Sequence, residues 1–434
     1  MQTAERLNAL MDHLGLEAAF FAIQVPGDVA DLAWGRPERI KALVLCVPMR
    51  LDARPFEHVA PRLLMISGEL GLSAHMTRSA QEHLPNARRH ILRGYNAEGW
   101  SDVVADRTEE VAGAVLRFLT SAAEQEPSRV PLAASSGTHS GLTYRIEGKG
   151  PALILLPFFL APSQWEPALP ELIRHFTVIQ LGGPHIGGVA ALEDRARAPS
   201  YQAMFRSLVD RMAPEAGSRI LDVGCGSGAL DRLLAARLGP AARIDAVDIN
   251  PFLLREAADL ALGLRERIRF APGSALALPF ADRTFDCIFS ITMLEECDAD
   301  RAIAEMVRVA RPGARIGLVV RAIDIPQWWN LKLPAEIRGK AEIPPQSVGP
   351  GGVADASLYA RMRRAGLVDL SAFPALITLD EPKGPIWRYR EDHVLSQLTA
   401  AEMASWHAAR LTATEEGLLM QAHALHCAVA TKPK

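Results

Sequence analysis

Cysteine is scarce: the 434-residue chain has five, Cys46, Cys225, Cys287, Cys297 and Cys427. They are scattered, odd in number and never spaced as CxxC, which argues against a disulfide framework and against a zinc site. Such usage fits a reducing compartment, the cytoplasm. Long hydrophobic runs are missing too. No stretch approaches the roughly 20 apolar residues that a membrane span needs. The opening MQTAERLNALMDHLG is charged and amphipathic rather than a signal peptide. Charge of one sign is also lacking. With 47 Lys and Arg against 50 Asp and Glu the net charge is −3, so no field favours nucleic acid or an anionic membrane surface. What remains is ordinary globular composition, 49% hydrophobic and 22% charged. The length suits two or three domains at about 150 residues each.

Strand-like runs alternate with helical periodicity along most of the chain. The first strand candidates are AAFFAIQ, IKALVLCVP, RLLMISGEL and ARRHILRGY, after a helix in AERLNALMDHLG. Residues 124–141, EQEPSRVPLAASSGTHSG, are rich in Ser, Pro and Gly and read as a linker. LTYRIEGKGPALILLP and FTVIQLGG follow, around a helix expected over 164–174. A helix over 196–215 leads to a second series: RILDVG, helix 229–237, RIDAVDI, helix 251–263, IRFAPG, FDCIFSI, helix 300–310 and ARIGLVVRA. HALHCAVATKPK ends it as the expected edge strand. Apolar strands alternating with helices imply an α/β fold, a parallel sheet covered on both faces.

Residues 220–228, ILDVGCGSG, join a strand to a helix through glycines at every second position. A P-loop needs Lys and then Ser or Thr after its last glycine; here Ala229 and Leu230 follow. A dinucleotide turn has the order G-x-G-x-x-G, and the acid at Asp222 would repel a pyrophosphate. A cationic ligand tolerates that acid. S-adenosylmethionine carries a sulfonium and an ammonium and no phosphate. Twenty residues beyond Gly228, Asp248 ends RIDAVDI, where an acid can accept both hydroxyls of a ribose; taken alone it reads equally well as a solvated strand-end acid. Gly273, Ser274 and Ala275 end a third strand, where an adenine edge can be read.

Together, ILDVGCGSG, AVDIN, GSALALPFADRTFDCIFS and RVARPGARIGLVV resemble a class I S-adenosylmethionine-dependent methyltransferase, over about residues 200–434. The resemblance implies a Rossmann-like seven-stranded sheet with the cofactor over the C-terminal edges of strands one to four. It carries Asp222, Gly224, Gly226 and Gly228 over as the cofactor loop, with Cys225 in it as a small filler. Asp248, beside Ile249, carries over as the ribose acid, and Ser274 with Ala275 as the adenine contact. Many relatives have Asp where Ser274 stands; a hydroxyl bonds the adenine amine more weakly than a carboxylate does.

Methyl transfer is an in-line displacement, so aligning the acceptor is the main task. The acceptor pocket is expected over the ends of strands four and five. Trp328 and Trp329 are candidates to roof it, or else paired aromatics packed on the sheet. Base candidates are Glu295 and Glu296 first, then Asp298, His393 and His407. The acids read equally as a helix N-terminal cluster favoured by the dipole. No metal is implied. The expected function is methyl transfer to a small-molecule acceptor, the alternative a non-catalytic sensor or scaffold that binds S-adenosylmethionine.

The front of the chain, residues 1–195, carries a second resemblance. DHLGLEAAFFAIQVPGDVADLAWGRPERIKALVL is similar to the nucleophile-elbow region of α/β-hydrolases, and RLLMISGELGL with the stretch to GYNAEGW to their acid and histidine segments. YRIEGKGPALILLPFFLAPSQWEPALPELIRHFTVIQLGG is similar to the early strands of that fold. The order is reversed, late half first, as in a circular permutation or in a truncated domain completed by a partner chain. The elbow serine is absent: Gln24 stands near its place, Gly71 (close to Glu69) near the acid and Gly99 near the histidine. This domain is expected to be a catalytically inactive scaffold, a lid or a homodimer module, before a methyltransferase domain over 196–434.

Overall fold

The computed structural model describes residues 3–97, 102–123, 135–158, 161–382 and 384–434. Residues 124–134 of the expected linker, and Gly99, lie outside the described residues. The chain divides into two units, Met1–Ala191 and Leu192–Lys434.

Among the described residues the first unit has eight strands: β1 (Ala19–Ile23), β2 (Ile40–Cys46), β3 (Leu63–Leu70), β4 (Arg88–Ala97), β5 (Ser136–His139), β6 (Leu142–Glu147), β7 (Ala152–Leu155) and β8 (Thr177–Gly182). Their order in the sheet is β4-β3-β2-β1-β7-β8-β6-β5. Strands β4 to β8 along this row pair in parallel, and β6 and β5 close the far edge antiparallel. Successive side chains of a strand point to opposite faces. Phe21, Ile23, Leu43 and Leu45 therefore bury in one layer, and Phe20, Ala22, Ala42 and Val44 in the other. That two-sided burial explains why the strands read as continuous apolar runs. Both flanks of β1 are taken, by β2 and by β7, so one chain supplies both halves of the sheet. The helix expected over 164–174 is broken into a 3₁₀ turn (Pro162–Trp165) and a single helical turn (Leu169–Leu172). Pro167 and Pro170 cannot donate to a helix ladder.

The second unit holds β9 (Arg219–Val223), β10 (Arg243–Asp248), β11 (Ile268–Pro272), β12 (Phe285–Ile291), β13 (Ala310–Arg321), β14 (Trp328–Trp329), β15 (Val368–Leu379) and β16 (Gln421–Thr431). The order runs β11-β10-β9-β12-β13-β16, with β15 paired to β16 as well. The first five are parallel and β16 is antiparallel to its neighbours. This sheet has eight strands, not the expected seven. The extra one, β14, is two residues long and continues the β13 side of β16, Trp328 facing Ala422 where Arg321 faces Leu425. A second correction concerns the last strand, which was expected at the edge. It lies inside, between β13 and β15. Its near-complete burial follows, Ala422, Cys427, Ala428, Val429 and Ala430 being within 1% of full burial. Among the described residues no helix is long and apolar enough to cross a membrane.

Candidate active site

Strand β9 delivers its chain to the C-terminal sheet edge, and the helix Ala229–Leu238 leaves from it. Between them the backbone turns through Gly224 (φ 84°) and Gly228 (φ 68°), a left-handed region that side chains disfavour. A Cβ on Gly228 would lie 2.6 Å from the Phe270 ring, and one on Gly224 would collide with Met293. The amides of Gly224 and Cys225 both donate to the Val247 carbonyl, at 2.8 and 3.0 Å. The Gly226 amide donates to Asp248 Oδ2 at 2.9 Å, and the Asn250 amide to Asp248 Oδ1 at 2.9 Å. The loop is thus pinned to the end of β10 by the very acid that the sequence marks.

Three carboxyl groups gather here. Asp222 lies on the face of β9 opposite Leu221 and is buried beside Asp231, which projects from the following helix. Burial, then the charges of Asp231 and Asp248, push Asp222 well above the usual carboxylate range. Burial pushes Asp231 up to about 7. Two adjacent buried carboxyls oppose each other's ionisation. Asp248 is raised as well, by burial, against the pull of the amides it accepts.

Beyond Asp248, Ile249 is 76% exposed, an apolar side chain left on the surface. Ser274 and Ala275 follow β11, where the Gly273 amide donates to the Asp248 carbonyl at 3.0 Å. Ser274 Oγ accepts the Leu276 amide at 3.2 Å. Sequence reasoning missed Glu193. It accepts the Ser227 hydroxyl at 2.7 Å, and Arg232 Nη2 donates to both of its carboxylate oxygens, at 2.6 and 2.7 Å. It clamps the loop from a helix (Gly187–Arg197) that precedes it by about 30 residues, a pairing no local pattern announces.

A cavity of about 90 Å³ lies at the ends of β12 and β13, where the acceptor pocket was expected. Thr292, the residue after β12, and Arg321, the last of β13, line it together with Arg195, Tyr201, Arg390 and His423. Tyr201 is buried with its hydroxyl beside Thr292. His423 Nδ1 lies 3.1 Å from Gln421 Oε1, whose amide nitrogen donates to the Ala422 carbonyl. The Gln oxygen can only accept, so the histidine proton sits on Nδ1 and Nε2 keeps its lone pair. Burial, aided by Arg390 and Arg195, holds His423 well below the usual histidine range, so the ring stays neutral.

The base candidates named from sequence lie elsewhere. Glu295 is fully buried; its Oε1 accepts the Arg321 amide at 2.7 Å and its carbonyl accepts Gly349. It ties the end of β13 to the loop around 349. Glu296 is exposed, and Asp298 caps the helix Ala299–Val309. His393 and His407 sit on the helices Gly384–Leu395 and Ala400–Glu415. None of these five lines the cavity, nor do the two tryptophans. Trp329 is buried edge-on against Trp387 and Trp406, and Trp328 is half exposed. Among the described residues no group of three or more His, Cys, Asp or Glu side chains could hold a metal ion.

Residues 220–313 match the model of a methyltransferase domain family. The ubiquinone/menaquinone biosynthesis C-methyltransferase UbiE of Hahella chejuensis is 34% identical over 114 residues, 26% of this chain and 46% of that protein. The methyltransferase GfsG of Streptomyces halstedii is 34% identical over 122 residues, 28% of this chain and 44% of that protein. The match thus spans about half the length of the curated relatives. Among solved structures, the YcgJ protein of Bacillus subtilis is 18% identical with a TM-score of 0.38, covering 54% of this chain and 99% of that one. The family match falls on the strands and turns that hold Asp222, Asp248 and Ser274, so this stretch of the chain is similar to methyltransferase domains.

Proposed function

We propose that the protein transfers a methyl group from S-adenosylmethionine to a small-molecule acceptor lodged between the ends of β12 and β13. The observation that carries this reading is the glycine loop locked to Asp248 beside a buried Asp222–Asp231 pair. Such a cradle suits S-adenosylmethionine: it lacks side chains where the ligand must approach the backbone, and its acids await positive charge. Exposed Ile249 gives an adenine ring something to cover. Asp222, Gly224, Gly226, Gly228 and Asp248 would hold the cofactor, Cys225 filling the loop and Ser274 with Ala275 meeting the adenine. When bound, it supplies an electrophilic methyl on a sulfonium.

The remaining work falls to the chain's own groups. Thr292 and Tyr201 orient the acceptor, and His423, neutral with a lone pair on Nε2, takes a proton from it if the attacking atom bears one. Glu295, Glu296 and His393, read as bases from sequence, give way to His423 here because only His423 borders the cavity. The first unit serves as a silent, circularly permuted α/β-hydrolase-like scaffold and a homodimer surface; the strand order and Gln24 at the end of β1 support this.

Calorimetry with S-adenosylmethionine and S-adenosylhomocysteine tests the reading. Both are expected to bind, and Asp248→Ala to weaken both. Absence of heat from either ligand on the intact chain sinks it.

A further inference from the structure

Charge is sorted across the second unit. The glycine loop gathers acids, whereas the cavity beside it gathers arginines from three separate elements: Arg195 from the helix Gly187–Arg197, Arg321 from β13 and Arg390 from the helix Gly384–Leu395. Arg390 is 6% exposed and donates only to a neutral partner, Gln327 Oε1 at 3.2 Å. Arg195 donates to Thr292 Oγ1 at 2.8 Å and lies over the Tyr201 ring at 5.1 Å. Neither has a carboxylate partner among the described residues. Arg321 has one, Glu295 at 3.6 Å, and also holds the Ser347 carbonyl.

The nearby acids are engaged elsewhere. Glu391, next to Arg390 in sequence, accepts from Trp387, Trp406 and Arg410. Asp194, next to Arg195, feels Arg197 and Arg388. Burial, with Tyr389 opposing it and Arg321 adding to it, pulls Arg390 down to about 10; the guanidinium lies over the Tyr389 ring at 5.9 Å and has no carboxylate partner among the described residues. His423 stays neutral in the same wall. A buried, uncompensated guanidinium is destabilising unless something neutralises it, and its planar fork matches a carboxylate or phosphate. The lining also includes aliphatic side chains, Ile377, Leu379 and Leu425.

We infer that the acceptor bears an oxyanion, a carboxylate or a phosphate, seated among Arg195, Arg321 and Arg390, with an apolar body against Ile377, Leu379 and Leu425. The word acceptor rests on the methyl-transfer reading above; the anion site stands on the cavity itself. Such a ligand fits the sorting of charge, because a cationic cofactor is repelled from the arginines and an anionic acceptor from the acids.

The test titrates sodium benzoate, inorganic phosphate and neutral benzamide into the full chain at constant ionic strength, with and without saturating S-adenosylhomocysteine. At least one anion should bind saturably, and benzamide at least tenfold more weakly than benzoate where benzoate is the binder. Benzoate alone binding assigns a carboxylate acceptor, phosphate alone a phosphorylated one. Arg390→Met and Arg195→Met should each weaken the anion tenfold or more and leave the S-adenosylhomocysteine affinity within twofold. Anion binding unchanged in Arg195→Met, or no anion binding to the unaltered chain, overturns the inference; the second result needs no variant to fold. Anion binding without S-adenosylhomocysteine binding would instead overturn the methyl-transfer reading and spare the anion site.

Discussion

Strands β1 and β9 occupy matching places in their own sheets. Each runs between two parallel neighbours, β2 and β7 in one case, β10 and β12 in the other; β1 is wholly apolar, whereas β9 carries Arg219 and Asp222. They part company at the turn. After β1 comes Gln24, 3% exposed, its amide nitrogen 3.4 Å from the Val47 carbonyl. After β9 comes Gly224, with Asp222 just behind it. One turn is closed by a side chain, the other kept bare and backed by acids. The scaffold is of the same kind in both; the chemistry is decided by a few residues at the strand end.

That contrast can be broken most sharply at Gly224. Gly224→Val places a branched side chain at φ 84° against Met293, costing about 1–3 kcal/mol of stability. It should weaken S-adenosylmethionine more than about 100-fold by calorimetry, since the ligand's place is then filled. His423→Gln comes next. A positioned base contributes about 10²–10⁴-fold, so kcat should fall by at least the lower figure with the KM for S-adenosylmethionine unchanged. An unchanged kcat would remove His423 from the chemistry. Asp248→Asn removes the charge proposed to meet the ribose and reverses one of its two amide contacts. About 10- to 100-fold weaker cofactor binding is expected, in keeping with charge-assisted bonds.

A smaller effect lies in pH. The native Asp222–Asp231 pair keeps protons that the unfolded chain loses near pH 4, because Asp231 titrates at about 7 in the fold. Native protein then binds more protons than unfolded protein between those values, so ligand-free stability falls as pH rises through this window. Asp231→Asn should flatten that slope in thermal midpoints measured from pH 4 to 8. Affinity for S-adenosylmethionine should rise from pH 6 to 8, by up to about tenfold per unit if one proton is released. The smallest effect belongs to Gln24→Ala. It should cost about 1 kcal/mol of stability through a lost buried hydrogen bond and leave cofactor affinity untouched. A serine-directed fluorophosphonate should label neither the parent nor this variant.

The strands were legible because burial on both faces leaves unbroken apolar runs, and the cofactor loop because its glycines and acids are adjacent in sequence. Asp222 and Asp248 announce themselves through the strand ends on which they stand. The acceptor side was not legible in this way. Arg195, Arg321, Arg390 and His423 come from four elements spread over more than 200 residues, and only the fold brings them together. Glu295 misled for the opposite reason. It follows β12 closely, yet its carboxylate turns inward to the Arg321 amide. Trp329 likewise satisfies a local aromatic cluster. The place of β16 depends on which of two strand edges accepts it, and its own apolar sequence does not say.

Because β16 threads between β13 and β15, its residues meet partners that leave the ribosome well before them. Until 421–431 emerge, both waiting edges stand bare, and such edges invite off-pathway pairing. The strand also brings His423 and Leu425, so the cavity is walled only when the sheet is zipped shut. The hydrogen bonds made by residues 224–228, by contrast, all have their partners by residue 250. During synthesis the partners of the glycine loop are therefore made long before the cavity's last wall.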